Sequence, residues 1–332
     1  MTHPLPPKPI AAPTRPGPRG VKRESPDVDV HKKRRRKFRW PTVDPLRTVA
    51  LKGEGDLSVK TIAFNSDGTQ FAICCKIWSN QNYAELARLT HNAPVVSVLW
   101  LTGDTGVITL SDDGVVSKWI KTGPNHWQWA KILDAGNERR VDDDPMCLAY
   151  RADRIAVSFP KIGVKVWLWS KGALLGTWQP QRSIVRQNVT AIKFVDDGQA
   201  LLGGTKDGVL WYCEIPNGTL RAYAFLRSKI TQIDINRQAS QALVAQSSAC
   251  CHLVWVEQSD NKGKVEQVYS FKDLDLRNEF GAIYAAQDQA VLFGDVEGCI
   301  PVWDKKKAVV VYGLDHGEGS WERLVFFGCR VN

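Results

Sequence analysis

The chain has 332 residues, 43% of them hydrophobic and 24% charged, enough apolar material for one large globular domain or two small ones. Its net charge of +9 sits at one end: residues 1–40 hold 12 Lys and Arg against 3 Asp and Glu, leaving 32 of each sign in 41–332. A formally neutral body argues against a broad nucleic-acid-binding surface there. No apolar run reaches the roughly 18 residues needed to span a bilayer as a helix, and the N-terminus lacks the apolar segment of a secretory signal.

Residues 1–30 hold eight of the seventeen prolines and few aromatic or β-branched clusters. Such a stretch buries too little apolar surface to offset the entropy of ordering, so residues 1–44 are expected to be a disordered, Pro-rich and basic tail. Within it, Lys32, Lys33, Arg34, Arg35, Arg36 and Lys37 form an unbroken block of like charge, followed by Phe38, Arg39 and Trp40. A self-repelling block of this kind is open to an acidic partner. It suits the acidic groove of a nuclear import receptor, with Lys22 and Arg23 as a loose second cluster. The alternatives are contact with RNA or DNA phosphates, Phe38 and Trp40 stacking on bases, and a plain solvated tail.

From Thr48 the composition changes and short apolar runs alternate with turn signals. An opening strand of the form V-x-x-apolar-x-aromatic occurs at Val59–Phe64, Val95–Trp100 and Val189–Phe194. Looser versions stand at Pro145–Tyr150, Ile230–Ile235 and Gly281–Ala286. A second landmark follows each, at Trp78, Trp119, Trp167, Cys213, Trp255 and Trp303, with spacings of 41, 48, 46, 42 and 48. A period in the forties with several short strands per unit is the signature of a β-propeller. The second unit is the fullest: His91, then VVSVLW, then Ser111 to Trp119.

On these residues the chain resembles the WD40, or β-transducin-like, family over roughly residues 45–327. The resemblance implies an all-β propeller over residues 45–332, with a buried hydrogen-bonded set formed by His91, Ser111, Asp113 and Trp119. Thr205 and Asp207 match two of these positions in the fourth unit, where Cys213 replaces the Trp. Two departures stand out. Blade one is short, because Phe71–Cys75 runs straight into Lys76–Trp78 without a Gly or Asp turn. Blade seven is incomplete: Ala308–Leu314 serves as the last strand of blade six, Trp321–Phe327 opens a seventh, and Leu46–Leu51 is a spare strand. A nominally seven-bladed ring is expected, with an edge left open to pairing.

Few residues point to chemistry. His91, Ser111 and Asp113 have the types of a catalytic triad, but as buried partners of Trp119 their types are explained by hydrogen-bond satisfaction alone. The eight cysteines, at 74, 75, 147, 213, 250, 251, 299 and 329, show no C-x-x-C spacing and read as buried reduced thiols of an intracellular protein. Asp142, Asp143 and Asp144 follow Arg139 and Arg140 without a Ca²⁺-loop spacing, so they read as a solvated loop. That loop, with Arg182 and Arg186 before blade four and Asp273, Asp275 and Arg277 before blade six, is the expected partner face. Trp127 and Trp129 alternate on an outer strand and are expected to cover the edge of blade two. Phosphate-loop, dinucleotide and zinc motifs are missing, and neither cofactor nor metal is expected.

The expectation is a non-catalytic interaction scaffold or recognition subunit of a nuclear multiprotein complex, located in the nucleus or in nucleus and cytoplasm. Its partners are other proteins and, through residues 32–37, an import receptor; no membrane is involved. A chromatin- or nucleic-acid-associated factor using the tail is the first alternative, and a propeller hydrolase the second.

Overall fold

The computed structural model describes residues 61–315 apart from 124–125, 135–146, 161–162, 170–172, 179–187, 217, 219, 257–262, 271–280, 286 and 295–298. The chain divides into two units, Met1–Arg39 and Trp40–Asn332, and every described residue belongs to the second. The described residues contain no α-helix.

Among the described residues, twenty-four strands form six four-stranded antiparallel sheets, each built from consecutive strands. Blade one comprises β1 (Ile62–Phe64), β2 (Gln70–Ile73), β3 (Lys76–Ser79) and β4 (Glu85–Arg88). Blade two comprises β5 (Val95–Trp100), β6 (Gly106–Ser111), β7 (Val115–Gly123) and β8 (His126–Asp134). Blade three holds β9 (Cys147–Arg151), β10 (Arg154–Phe159), β11 (Gly163–Leu168) and β12 (Ala173–Trp178). Blade four holds β13 (Val189–Val195), β14 (Ala200–Thr205), β15 (Val209–Glu214) and β16 (Arg221–Phe225). Blade five holds β17 (Ile230–Ile235), β18 (Gln241–Gln246), β19 (Cys250–Trp255) and β20 (Val265–Ser270). Blade six holds β21 (Ala282–Ala285), β22 (Ala290–Phe293), β23 (Cys299–Asp304) and β24 (Val309–Asp315).

The first strands of successive blades touch in the order β1, β5, β9, β13, β17, β21, which is the arrangement of a β-propeller. Among the described residues six blades are present where seven were expected. The segments assigned to a seventh, Leu46–Leu51 and Trp321–Phe327, lie outside the described residues. Blade one is short, with strands of three or four residues, but it has all four. The missing turn signal is supplied by Cys74 and Cys75 alone. Cys74 takes the left-handed conformation at φ 49°, which closes the β2–β3 hairpin without glycine.

The core lies between blades. Successive residues of a strand face opposite neighbours, so a middle strand is covered on both sides and buried throughout, as in β14 and β18. Leu201 joins the cluster shared with blade three, and Leu202 the cluster shared with blade five. Similar clusters join blades one and two, two and three, and five and six. The glycines of β14 follow the same logic. A Cβ at Gly203 would lie 2.0 Å from the Trp211 ring, and one at Gly204 would lie 2.4 Å from Ile230 of blade five.

Two further devices repeat. In every blade the third and fourth strands pair across a bulge whose extra residue is on the outer strand: Leu86, Ile132, Leu175, Tyr223, Glu266 and Val311. Bulges there twist the exposed edge out of register with any incoming strand. At the opposite end of the sheets, first-to-second-strand turns latch neighbouring blades through carboxylates. The Ser66 N–H donates to both Asp104 oxygens at 2.9 and 3.0 Å, Arg151 donates to Asp197 at 2.9 Å, and the Arg237 N–H donates to Asp288 at 2.9 Å. All three acceptors sit at positive φ, 57°, 49° and 64°, conformations that Asp tolerates better than most residues.

Candidate functional site

In a four-stranded antiparallel blade, the turn between strands two and three and the connection to the next blade emerge at the same end. That end forms one face of the propeller, and the polar residues singled out from the sequence fall on it where they are described. Loops on such a face are free to vary while the sheets hold them in place.

Blade two builds its part as follows. Ser111 closes β6 and is buried, and its hydroxyl donates to the Val115 carbonyl at 3.1 Å. Asp113 lies in the turn and accepts from the Val115 N–H at 3.1 Å. Trp119 is buried on β7, and its indole N–H donates to the hydroxyl of Thr109 at 3.1 Å rather than to Ser111. Thr109 and Ser111 point to one face of β6, and Thr109 is the nearer in register, opposite Ser117. His91, in the connection before β5, packs edge-on against Trp119 with ring centroids 5.3 Å apart. Its Nε2 is buried without a hydrogen-bond partner. Burial holds the His91 pKa below its usual value, with the Asp113 carboxylate working against that shift. His91 and Trp119 are thus in ring contact and Ser111 and Asp113 share the Val115 turn, but among the described residues no hydrogen bond joins any two of the four; the bonds of Ser111, Asp113 and Trp119 hold a turn and a strand instead.

Blade four repeats the turn. Thr205 donates to the Asp207 carboxylate and accepts from the Val209 N–H at 2.9 Å. Cys213 is buried in the place of the Trp, and the fully buried Trp211 fills the same inter-blade cluster. In blade five the buried Gln246 ends β18. Its amide donates to the carbonyls of Leu226 and Ser228 at 2.9 and 2.8 Å, fixing the connection from blade four. Sequence reading missed this glutamine because its side chain differs from Ser or Thr while its strand position is the same.

Trp127 packs on Trp100 at 6.2 Å, and Trp129 on Trp119 at 6.5 Å, so both cover the face of blade two that meets blade one. Trp129 remains 52% exposed. Among the described cysteines, Cys213 and Cys251 are buried, whereas Cys74, Cys75, Cys147 and Cys250 are only partly buried, against the expectation of buried thiols throughout. Loss of solvent around the thiolate pushes the Cys147 thiol up to about 12 and that of Cys213 to about 11, so neither is a thiolate nucleophile near neutral pH. Among the described residues no three His, Cys, Asp or Glu side chains converge as metal ligands.

The remaining residues singled out from the sequence, Lys32–Lys37, Arg139, Arg140, Asp142, Asp143, Asp144, Arg182, Arg186, Asp273, Asp275 and Arg277, lie outside the described residues. Comparison with protein-family models finds none that matches the chain, and comparison with curated proteins finds no match either.

Proposed function

We propose that this chain is a non-catalytic scaffold, a WD40-type propeller that recognises other proteins within a nuclear complex. The observation that carries the reading is the use to which the connection face puts its polar groups. Ser111, Asp113, Thr205, Asp207 and Gln246 each bond to the turns and connections of their own or the adjoining blade. Such a face offers a rigid, variable surface rather than a reaction centre. The basic block Lys32–Lys37 supports entry to the nucleus through an import receptor.

The test is affinity purification of the full chain from nuclear extract, with and without nuclease, across salt from about 50 to 200 mM. A scaffold retains the same protein partners through nuclease treatment and shows a shallow salt dependence. Recovery of nucleic acid alone, with a steep negative salt slope, would replace the scaffold with a tail-borne nucleic-acid binder.

A further inference from the structure

Blades four and five meet the connection face in one tightly fastened block. The connection from β16 to β17 runs through Leu226, Arg227, Ser228 and Lys229. The Leu226 N–H donates to the Gly208 carbonyl at 2.8 Å, and the Ser247 N–H to the Lys229 carbonyl at 3.0 Å. Gln246 holds it from below through the Leu226 and Ser228 carbonyls. The fit at Gly208 is so close that a Cβ there would sit 2.7 Å from the backbone of Ser228. Arg227 is forced to φ 71°, a conformation that favours glycine.

On this block four features coincide. Lys206 and Arg227 are both exposed, and among the described residues no carboxylate forms an ion pair with either. Asp207, next to Lys206 in sequence, accepts from the Thr205 hydroxyl. Ser228 of the β16–β17 connection and Ser248 of the β18–β19 turn set their hydroxyl oxygens 2.7 Å apart. Phe225 ends β16 at the same edge, opposite Val209, and is 70% exposed, the highest value among the exposed large hydrophobic residues.

We propose that this block docks a phosphorylated peptide. The phosphate sits between Lys206, Arg227 and the two serine hydroxyls, and an apolar residue beside the phosphorylated one packs on Phe225. The proposal deepens the scaffold reading and rests on it, by naming the partner's chemistry. A phosphate monoester offers about −1.5 to −2 charges and three acceptor oxygens, which a guanidinium fork, an ammonium and hydroxyls satisfy together. The clamped connection holds these donors in place before binding, so little ordering entropy remains to oppose it. A single compact dianion suits this body better than a nucleic-acid backbone, since residues 41–332 carry 32 positive and 32 negative side chains.

The test measures binding of the full chain to two oriented peptide libraries, one with a fixed central phosphoserine and one with serine, and to a single-stranded oligonucleotide. The phosphoserine library is expected to bind at least about tenfold more tightly, with apolar residues selected next to the phosphate. Arg227→Gly removes the charge and suits φ 71°, so it should keep or raise the thermal midpoint while losing about tenfold in phosphopeptide affinity. Lys206→Glu should deepen the loss, and Phe225→Ser should abolish the apolar selection with phosphate discrimination intact. Equal binding of the two libraries, or parental affinity in Arg227→Gly and Lys206→Glu, overturns the proposal. So does an oligonucleotide that binds more tightly and displaces the peptides. Nuclear partners recovered equally by the parent and Arg227→Gly would overturn this site and leave the scaffold reading standing.

Discussion

Replacing Gly203 by Ala adds a single methyl group, and the structure places it in the worst position available. The new Cβ would stand 2.0, 2.2 and 2.7 Å from Cζ2, Cε2 and Cη2 of Trp211, against ordinary carbon contacts of roughly 3.5–4 Å. Trp211 is fully buried in the cluster joining blades three and four, with Phe194 and Leu201 among its members, so the ring has no open space to retreat into. Overpacking a close-packed interior costs about 1–3 kcal/mol where side chains can adjust. Expelling an aromatic side chain outright would forfeit about 150–250 Å² of burial, roughly 4–6 kcal/mol. The expected loss is about 3–5 kcal/mol, a large share of the 5–15 kcal/mol or so that holds a typical domain together. Urea unfolding with a common m-value measures it. Trp211→Leu in the Gly203→Ala background should recover about 2 kcal/mol, because the methyl group then fills space the smaller side chain leaves. A Gly203→Ala variant within about 0.5 kcal/mol of the parent would refute the packing described for this seam.

Three other perturbations follow from the same structure. Asp104→Ala should cost about 1 kcal/mol, since Asp104 accepts from both the backbone N–H and the hydroxyl of Ser66 in blade one, whereas Asp197→Ala should cost under about 0.5 kcal/mol because its partner Arg151 is mostly exposed; equal costs in urea titrations would contradict the assignment. His91 and His252 are both held below the usual histidine pKa of about 6.5 by burial, so the unfolded chain binds more protons below that pH and stability falls from about pH 6.5 downward. An unfolding midpoint that stays level or rises from pH 7 to 5.5 would contradict this. Replacing Lys33, Arg34, Arg35 and Arg36 by Ala should abolish nuclear accumulation of a fluorescent fusion while moving stability by less than about 0.5 kcal/mol, and a variant that still concentrates in the nucleus would refute the import reading.

The blade order was legible because each blade carries its own local signals. An apolar run, a turn and a closing Trp, or Cys213 in its place, repeat at 41 to 48 residues, and all six landmarks fall on third strands of the described blades. Blade-to-blade relations were not legible, because they depend on register between segments distant in sequence. Gly203 and Gly204 look interchangeable in a row of letters, yet one makes room for Trp211 of its own blade and the other for Ile230 of the next. The outer bulges at Leu86 through Val311 leave no shared residue type, since they are set by strand pairing. Thr109 and Ser111 share a strand face, so the sequence alone does not say which hydroxyl the Trp119 indole reaches. The absence of Gly or Asp between β2 and β3 marks blade one as short, and Cys74 at positive φ closes the hairpin all the same. Arg227 carries no sequence mark at all, because its left-handed backbone is imposed by the turn it lies against.

The central claim is that the connection face of the propeller receives a protein partner. Hydrogen exchange of the full chain, alone and with the partner recovered from nuclear extract, tests it most directly. Protection is expected at 89–94, 112–114, 206–208, 226–229 and 247–249, the connections and turns of one face, while the interiors of β14 and β18 exchange as slowly as before. Protection confined to the turns at Ser66, Asp104 and Asp197 on the opposite face, or to the N-terminal tail alone, would contradict the account.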